Sequence, residues 1–373
     1  MSASVAVLTD DREHSLRALD LARRGVGLVS PNPLVGCVIV SPGGAIAGEG
    51  FYTYDAVTHA EVIALQAAGE RARGGTAYVS LEPHAHHGKT PPCTDALIDA
   101  GIRRVVCPIE DPNPLVSGRG FEKLRASGVE VVTGILAEEA SKLNEKFICW
   151  HKKKRPFVHL KLAISLDGRI SLNSSVSSSL SGPEGHARVQ EIRHEHDAIL
   201  VGGNTVAVDD PSLTDRSGLP RRRPLVRVVL DNTVQIAEDS KLVETATDIP
   251  TVVFTNASLE SKISELRAKA VDVVKTDLGG RDLEGVLADL YRRQIQSILV
   301  EGGSEIAGSF IDARLVDAVT LMISPLIIGG HRAPSAIGGS GTETLDAAIR
   351  LRDVTVIPHG ADIEITGYPS DVE

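Results

Sequence analysis

Short apolar runs alternate with segments of helical spacing along almost the whole chain. This alternation limits the fold more than any other feature. Strands separated by helices build a mostly parallel sheet with helices on its faces, an α/β architecture. In the first half, Ser15 to Arg24 has helical spacing, with Leu16, Leu19 and Arg23 on one side. Val35 to Val40, the turn Pro42-Gly43-Gly44 and Ala45 to Ala47 read as a hairpin. Ala60, Ile63, Ala64, Ala67 and Ala68 are spaced for a helix, and Asp95 to Ala100 for another that Gly101 stops. Thr76 to Leu81, Ile102 to Cys107 and Val129 to Thr133 read as strands.

The basic run His151-Lys152-Lys153-Lys154-Arg155-Pro156 reads as a solvated linker. It divides the chain into domains at 1–150 and 151–373. A second α/β pattern follows, with strands expected at Phe157 to Ala163, Ala198 to Val201, Val226 to Leu230, Thr251 to Phe254, Ser297 to Val300 and Ala318 to Ile323. Gly202-Gly203 and Gly302-Gly303 each follow a strand directly, and the serine-rich stretch Ser171 to Ser181 reads as a loop.

Composition excludes several function classes. The net charge of −10 and an aromatic content of 3% argue against nucleic-acid binding by bulk charge or base stacking. No apolar run has membrane-spanning length, and Met1 to Asp10 makes a poor signal peptide. The four cysteines, Cys37, Cys93, Cys107 and Cys149, are too scattered for a disulfide framework; they suit a reducing cytoplasm and one metal-binding thiol.

The chemistry-bearing motif is Thr58-His59-Ala60-Glu61, followed some thirty residues on by Leu81-Glu82-Pro83-His84-Ala85-His86-His87-Gly88-Lys89-Thr90-Pro91-Pro92-Cys93. A zinc deaminase needs three protein ligands, a fourth position for water, and a Glu that is not a ligand but moves the proton. His59 and Glu61 at a helix start, and Cys93 opening the next helix, fit that pattern. Thr58 and Glu61 also fit a capping box with no chemistry, and Cys93 alone is a small hydrophobe. The order of strand, helix, strand, loop and helix favours the metal.

With these motifs, the chain resembles the bifunctional riboflavin-biosynthesis deaminase-reductase family. Ser30-Pro31-Asn32-Pro33-Leu34-Val35-Gly36-Cys37-Val38, His59-Ala60-Glu61, Leu81-Glu82-Pro83, Pro92-Cys93 and Asp111-Pro112-Asn113-Pro114 carry the likeness in the first half. Lys161-Leu162-Ala163 with Ser165-Leu166-Asp167-Gly168, Asp197 to Gly202, Thr205 with Asp209-Asp210-Pro211, and Glu301-Gly302-Gly303 carry it in the second. The resemblance implies an N-terminal cytidine-deaminase-like three-layer domain and a C-terminal dihydrofolate-reductase-like domain. It implies zinc-dependent deamination of 2,5-diamino-6-ribosylamino-4(3H)-pyrimidinone 5′-phosphate, then NADPH-dependent reduction of ribosyl to ribityl, in a cytoplasmic homodimer. His59 and Cys93 match zinc ligands and Glu61 the proton shuttle. Ala163, Thr205, Asp209 and Gly303 match cofactor positions. Ser177, Arg193, Leu213, Arg216 and Glu301 match substrate positions, where arginine forks suit a phosphate.

Two positions depart from the family. His84 stands where its first zinc cysteine follows Glu-Pro, and Ser179 where a Trp is common. Eight residues separate His84 from Cys93, the family's spacing. The expected ligand set is therefore His59, His84 and Cys93, with His86 or His87 as substitutes. Ser179 leaves one alternative reading: a deaminase whose reductase domain is degenerate or repurposed.

Overall fold

A computed structural model of the chain describes residues 3–86, 91–176 and 178–370. It forms two compact units, Met1–Lys154 and Arg155–Glu373.

The first unit contains α1 (Ala3–Arg23), β1 (Gly36–Val40), β2 (Ile46–Phe51), α2 (Ala60–Ala68), β3 (Thr76–Val79), α3 (Cys93–Asp99), β4 (Arg104–Cys107), α4 (Arg119–Ala126), β5 (Glu130–Thr133), α5 (Ala137–Leu143) and α6 (Glu145–Lys153). The sheet order is β2-β1-β3-β4-β5. The expected hairpin is β1–β2. Because β1 also runs against β3, while β3, β4 and β5 are parallel, the sheet is mixed rather than mostly parallel. Side chains alternate across β1. Cys37 and Ile39 pack with Ala60, Ala64, Leu97 and Phe121 on one face. Val38 and Val40 pack with Ala18 and Leu21 on the other. The result is three layers.

Helix α1 begins twelve residues before the expected Ser15. Asp11 explains part of the extension. Its buried carboxylate accepts two hydrogen bonds from Arg104 (2.6 and 2.8 Å) and one from Tyr78 (2.9 Å), which fasten the early turns of α1 to β3 and β4. Helix α2 lies close on β2. A Cβ on Gly50 would stand 2.5 Å from the Ala60 carbonyl, so only glycine allows that approach.

The linker expectation is corrected. His151 to Lys153 form the last turn of α6, where cations favour the helix dipole. Arg155 is held by a bidentate ion pair to Asp317 at 2.5 and 2.9 Å.

The second unit contains β6 (Phe157–Ser165), α7 (Pro183–His194), β7 (Ala198–Gly202), α8 (Gly203–Asp209), β8 (Val226–Leu230), α9 (Lys241–Glu244), β9 (Thr251–Thr255), α10 (Glu260–Ala268), β10 (Asp272–Lys275), α11 (Leu283–Arg292), β11 (Ser297–Val300), α12 (Ser304–Asp312), β12 (Ala318–Ser324), β13 (Leu351–His359) and β14 (Asp362–Pro369). Its sheet runs β10-β9-β8-β7-β11-β6-β12-β14-β13, parallel from β10 to β12 and antiparallel at β14 and β13. Strands β10, β13 and β14 were not expected. The run Leu351–His359 is exposed along most of its length and carries charged residues, so its apolar pattern is weak. Because β11 lies between β6 and β7, the C-terminal ends of these three strands are neighbours, where open α/β sheets bind ligands. Among the described residues no helix is long and apolar enough to cross a membrane.

Candidate active sites

In the first unit, His59 is the N-cap of α2, and its side chain makes no cap hydrogen bond. Cys93 opens α3, and the loop between β3 and α3 brings in His84. The His84 carbonyl accepts from the Thr94 backbone N–H at 3.3 Å, which ties that loop to the start of α3. Ligand atoms of His59, His84 and Cys93 all lie within 4.8 Å of one another. His59 Nδ1 is 3.3 Å from Cys93 Sγ. Two ligands of one tetrahedral zinc ion stand roughly 3.5 Å apart. His86 is exposed and packs edge-on to His84 at 5.3 Å between ring centroids. His87 lies outside the described residues.

Glu61 is buried, and its Oε2 has no hydrogen-bond partner among the described residues. Burial pushes its carboxyl up, against smaller opposing effects of His59, its own backbone N–H and Cys93. Burial and the nearby Glu61 push the Cys93 thiol up strongly. A buried, raised thiol beside two imidazoles and an unsatisfied carboxylate oxygen is what a cation and its water would relieve. The donor set therefore fits zinc. Asn32 donates to Tyr52 Oη at 2.6 Å, and the Tyr52 ring meets His59 edge-on at 5.4 Å, so the Ser30 to Val38 motif reaches this site.

Glu82 has a role that motif matching did not assign. Its Oε2 accepts from the backbone N–H of Asp111 and of Gly118, both at 3.0 Å. Its Oε1 accepts from Gly120 at 2.8 Å and Phe121 at 3.3 Å. One carboxylate thus binds the loop after β4 to the loop that carries His84. Burial, with Glu82 adding to it, pushes the Asp111 carboxyl up to about 6 against the Asn113 N–H.

In the second unit, Arg193 on α7 grips Glu301, just after β11, through two hydrogen bonds of 2.8 and 3.0 Å. Its remaining nitrogen donates to the Thr214 carbonyl at 3.1 Å. The fork expected to hold a phosphate is therefore directed at a carboxylate, whereas Arg216 is exposed, with its Nη1 3.5 Å from Thr214 Oγ1. Lys161 Nζ is 3.8 Å from Glu301 Oε2. Burial pushes the Glu301 carboxyl up, but Lys161 and Arg193, with less from His159, outweigh it and hold it at about 2. From sequence, Lys161 stands only within the Lys161-Leu162-Ala163 motif, with no role of its own. The signal was present: a lysine inside the apolar run Phe157 to Ala163, buried in the fold.

Leu213 is buried at a φ of +47°, a strained value for leucine that fixes the loop next to Thr214. Ala163 lies on β6 beside Met322 of β12. Thr205 and Asp209 are one turn apart on α8, so they share a face. Gly303 caps α12, and a Cβ placed there would be 4.0 Å from Thr205 Oγ1. This brings Thr205 to a helix N-terminus whose backbone N–H groups suit a phosphate. Ser177 lies outside the described residues. Ser179 Oγ is 3.0 Å from His186 Nε2.

The two units define a class: an α/β enzyme with a zinc-binding deaminase domain followed by a reductase domain. Residues 8–109 match the model of the cytidine and deoxycytidylate deaminase zinc-binding region, and residues 156–364 that of the RibD C-terminal domain. The chain is 41% identical over 355 residues to a riboflavin biosynthesis protein RibD of Actinobacillus pleuropneumoniae, covering 95% of this chain and 94% of the relative. It is 39% identical to that of Aquifex aeolicus, covering 95% and 97%. The Acinetobacter baumannii RibD structure superposes with a TM-score of 0.87 at 34% identity, covering 98% of this chain and 100% of the other. The Thermotoga maritima deaminase/reductase superposes at 0.85 and 36%, covering 97% and 99%. The chain belongs to the RibD family of bifunctional riboflavin-biosynthesis enzymes. Both domain models match, and the chain covers 94% of the Actinobacillus pleuropneumoniae relative, which favours two activities over the deaminase-only alternative. The deaminase half is of a zinc-binding kind, and the reductase half implies a nicotinamide cofactor.

Proposed function

We propose that residues 1–150 deaminate 2,5-diamino-6-ribosylamino-4(3H)-pyrimidinone 5′-phosphate and that residues 151–373 reduce the ribosyl group of the product to ribityl with NADPH. The observation that carries the first step is the convergence of His59, His84 and Cys93 beside the unsatisfied Glu61 oxygen. These three side chains would hold zinc, which when bound makes a water nucleophilic at neutral pH. Glu61 would hold and move the proton of the hydrolysis, taking one up and returning one to the departing exocyclic amine, so that water's oxygen becomes the carbonyl and ammonia leaves. Its burial suits the role, because desolvation raises its carboxyl above the ordinary carboxylate value, the direction that favours taking up a proton as well as returning one. Glu82 holds the loop from Asp111 to Gly118 next to the loop that carries His84.

In the reductase half, Ala163, Thr205, Asp209 and Gly303 would contact NADPH, whose hydride the protein has only to aim. Glu301, oriented by Arg193 and Lys161, would accept hydrogen bonds from the sugar; Leu213 and Ser177 would border it, and Arg216 would meet the phosphate. The four cysteines are buried thiols, none of them in a disulfide, which suits a reducing cytoplasm. The exposed apolar residues Leu351, Val354, Val356 and Ile357 on the sheet-edge strand β13 suit a second copy, and so a homodimer. A two-step assay tests the reading: ammonia release from the pathway substrate, then NADPH consumption on the product. Absence of either step under zinc-replete conditions refutes that half.

A further inference from the structure

The loop that carries Arg216 is tied to α7 at three successive residues. The Thr214 carbonyl accepts from Arg193 Nη1 at 3.1 Å. The Asp215 side chain, 8% exposed, accepts on Oδ2 from His194 Nδ1 at 2.8 Å and from Arg221 Nη1 at 3.2 Å. Its Oδ1 accepts the Ser217 N–H at 2.9 Å. The Arg216 N–H donates to Gln190 Oε1 at 2.9 Å. Gln190, Arg193 and His194 all belong to the last turns of α7. Arg221 is fixed in its turn by the carbonyls of His194, at 3.0 Å, and His196, at the end of that helix where carbonyls lack helical partners.

The charges leave one side chain over. Arg221 pairs with Asp215, and Arg193 with Glu301. The clamp therefore sets no unbalanced carboxylate beside Arg216, where it would repel an anion. Arg216 is exposed and has no ion pair among the described residues. The Arg193 guanidinium touches both the Glu301 carboxylate and the Thr214 carbonyl, so it spans the two ends of this site.

We propose that Asp215 and Gln190 are positioning residues that set substrate specificity: by holding the loop on α7 they keep Arg216 at one reach from Glu301, so that the reductase selects a sugar bearing a 5′-phosphate over the same sugar without it. This rests on the reading of Glu301 as the sugar contact and Arg216 as the phosphate contact. An arginine on a loose loop would lose much of a phosphate contact to the entropy of ordering that loop. On a loop already fastened at Thr214, Asp215 and Arg216, only the side chain remains to be ordered.

Reductase kinetics with the deaminated pathway intermediate and with its phosphatase-treated form test this. The wild type should favour the phosphorylated form in kcat/KM by about ten- to a hundredfold, the range for hydrogen bonds to a charged group. In Asp215→Asn the amide can satisfy Ser217 or the cations but not both. The preference should shrink about tenfold, through a raised KM for the phosphorylated form alone, with kcat, the KM for NADPH and ammonia release little changed. Gln190→Ala removes only the tether on the Arg216 N–H, from a half-buried position on α7, and should shrink the preference about two- to tenfold. It decides alone should Asp215→Asn not fold, which thermal unfolding reports. Folded variants that keep the wild-type preference, or lower kcat/KM for both forms by one common factor, overturn the proposal and leave the reading of the site standing. A wild type that reduces both forms equally, or neither, overturns that reading and the proposal with it.

Discussion

Glu82 and Gly120 fit each other without room for a methyl group. The Glu82 carboxylate accepts the Gly120 N–H at 2.8 Å, and a Cβ on Gly120 would stand 3.0 Å from Glu82 Oε1 and 2.0 Å from the Pro83 carbonyl. The residue after Pro83 is His84, so the strap between these loops meets the metal loop directly.

Gly120→Ala should break that fit. Overpacking at such a contact costs about 1–3 kcal/mol. Ammonia release and zinc retention should fall together, while NADPH-dependent reduction, performed by a separate unit, persists. Thermal unfolding alongside both assays checks this. Unchanged deamination in a fully folded variant would contradict the strap.

Much of this site was legible in the sequence, for local reasons. His59, Glu61 and Cys93 lie at helix starts, and the spacing of a motif survives folding there. Glu82 was visible only as part of a motif, because its four partners come from residues 29 to 39 positions away. The same holds for Arg193 and Glu301, separated by 108 positions. The family resemblance implied that both serve a site; it could not show that the guanidinium is spent on the carboxylate. Strand β13 was invisible because an exposed edge strand lacks a buried face to impose a pattern. Tertiary contacts, here Asp11 with Arg104, likewise set where α1 begins.

Glu61→Gln tests the proton shuttle. Gln preserves size but cannot take and return a proton. Zinc content should remain near one per chain, and ammonia release should drop about 10²–10⁴-fold. Metal analysis beside a steady-state assay separates this from loss of the site. Full activity would remove Glu61 from the mechanism.

Asp209→Ala should impair NADPH-dependent reduction and leave ammonia release nearly intact. Asp209 shares a helix face with Thr205, which approaches Gly303 at the start of α12. The deaminase residues belong to the other unit. A raised KM for NADPH is the expected signature. Equal loss of both activities would point to unfolding or to a shared site.

His84→Ala should lose zinc and deamination, whereas His86→Ala and His87→Ala should keep both. Among the described histidines of this loop, His84 is the one whose ligand atom joins those of His59 and Cys93. Neutral imidazole must bind, so zinc should also leave on acidification as the ligands protonate. Zinc stoichiometry across the three variants decides the assignment. Full zinc in His84→Ala transfers the role to a neighbour.

Glu301 supplies the last test, through acid stability. Its carboxyl ordinarily titrates at 4.5 and is held at about 2, burial being outweighed by Lys161 and Arg193. A depressed folded value means the unfolded chain takes up the proton first. The stabilisation is therefore fully present above about pH 4.5 and is lost as pH falls toward 2. Glu301→Gln removes that dependence but leaves the guanidinium of Arg193 and the ammonium of Lys161 buried without their counter-ion. Breaking a buried pair from one side typically costs about 3–5 kcal/mol. The variant should be less stable at neutral pH, and its deficit against the wild type should shrink on acidification as the wild type protonates the same group. Urea unfolding of both proteins between pH 7 and the acid limit of folding measures the difference. A deficit that stays constant across that range would mean that the ion pair contributes nothing through its charge, and that Glu301 is held for its shape alone.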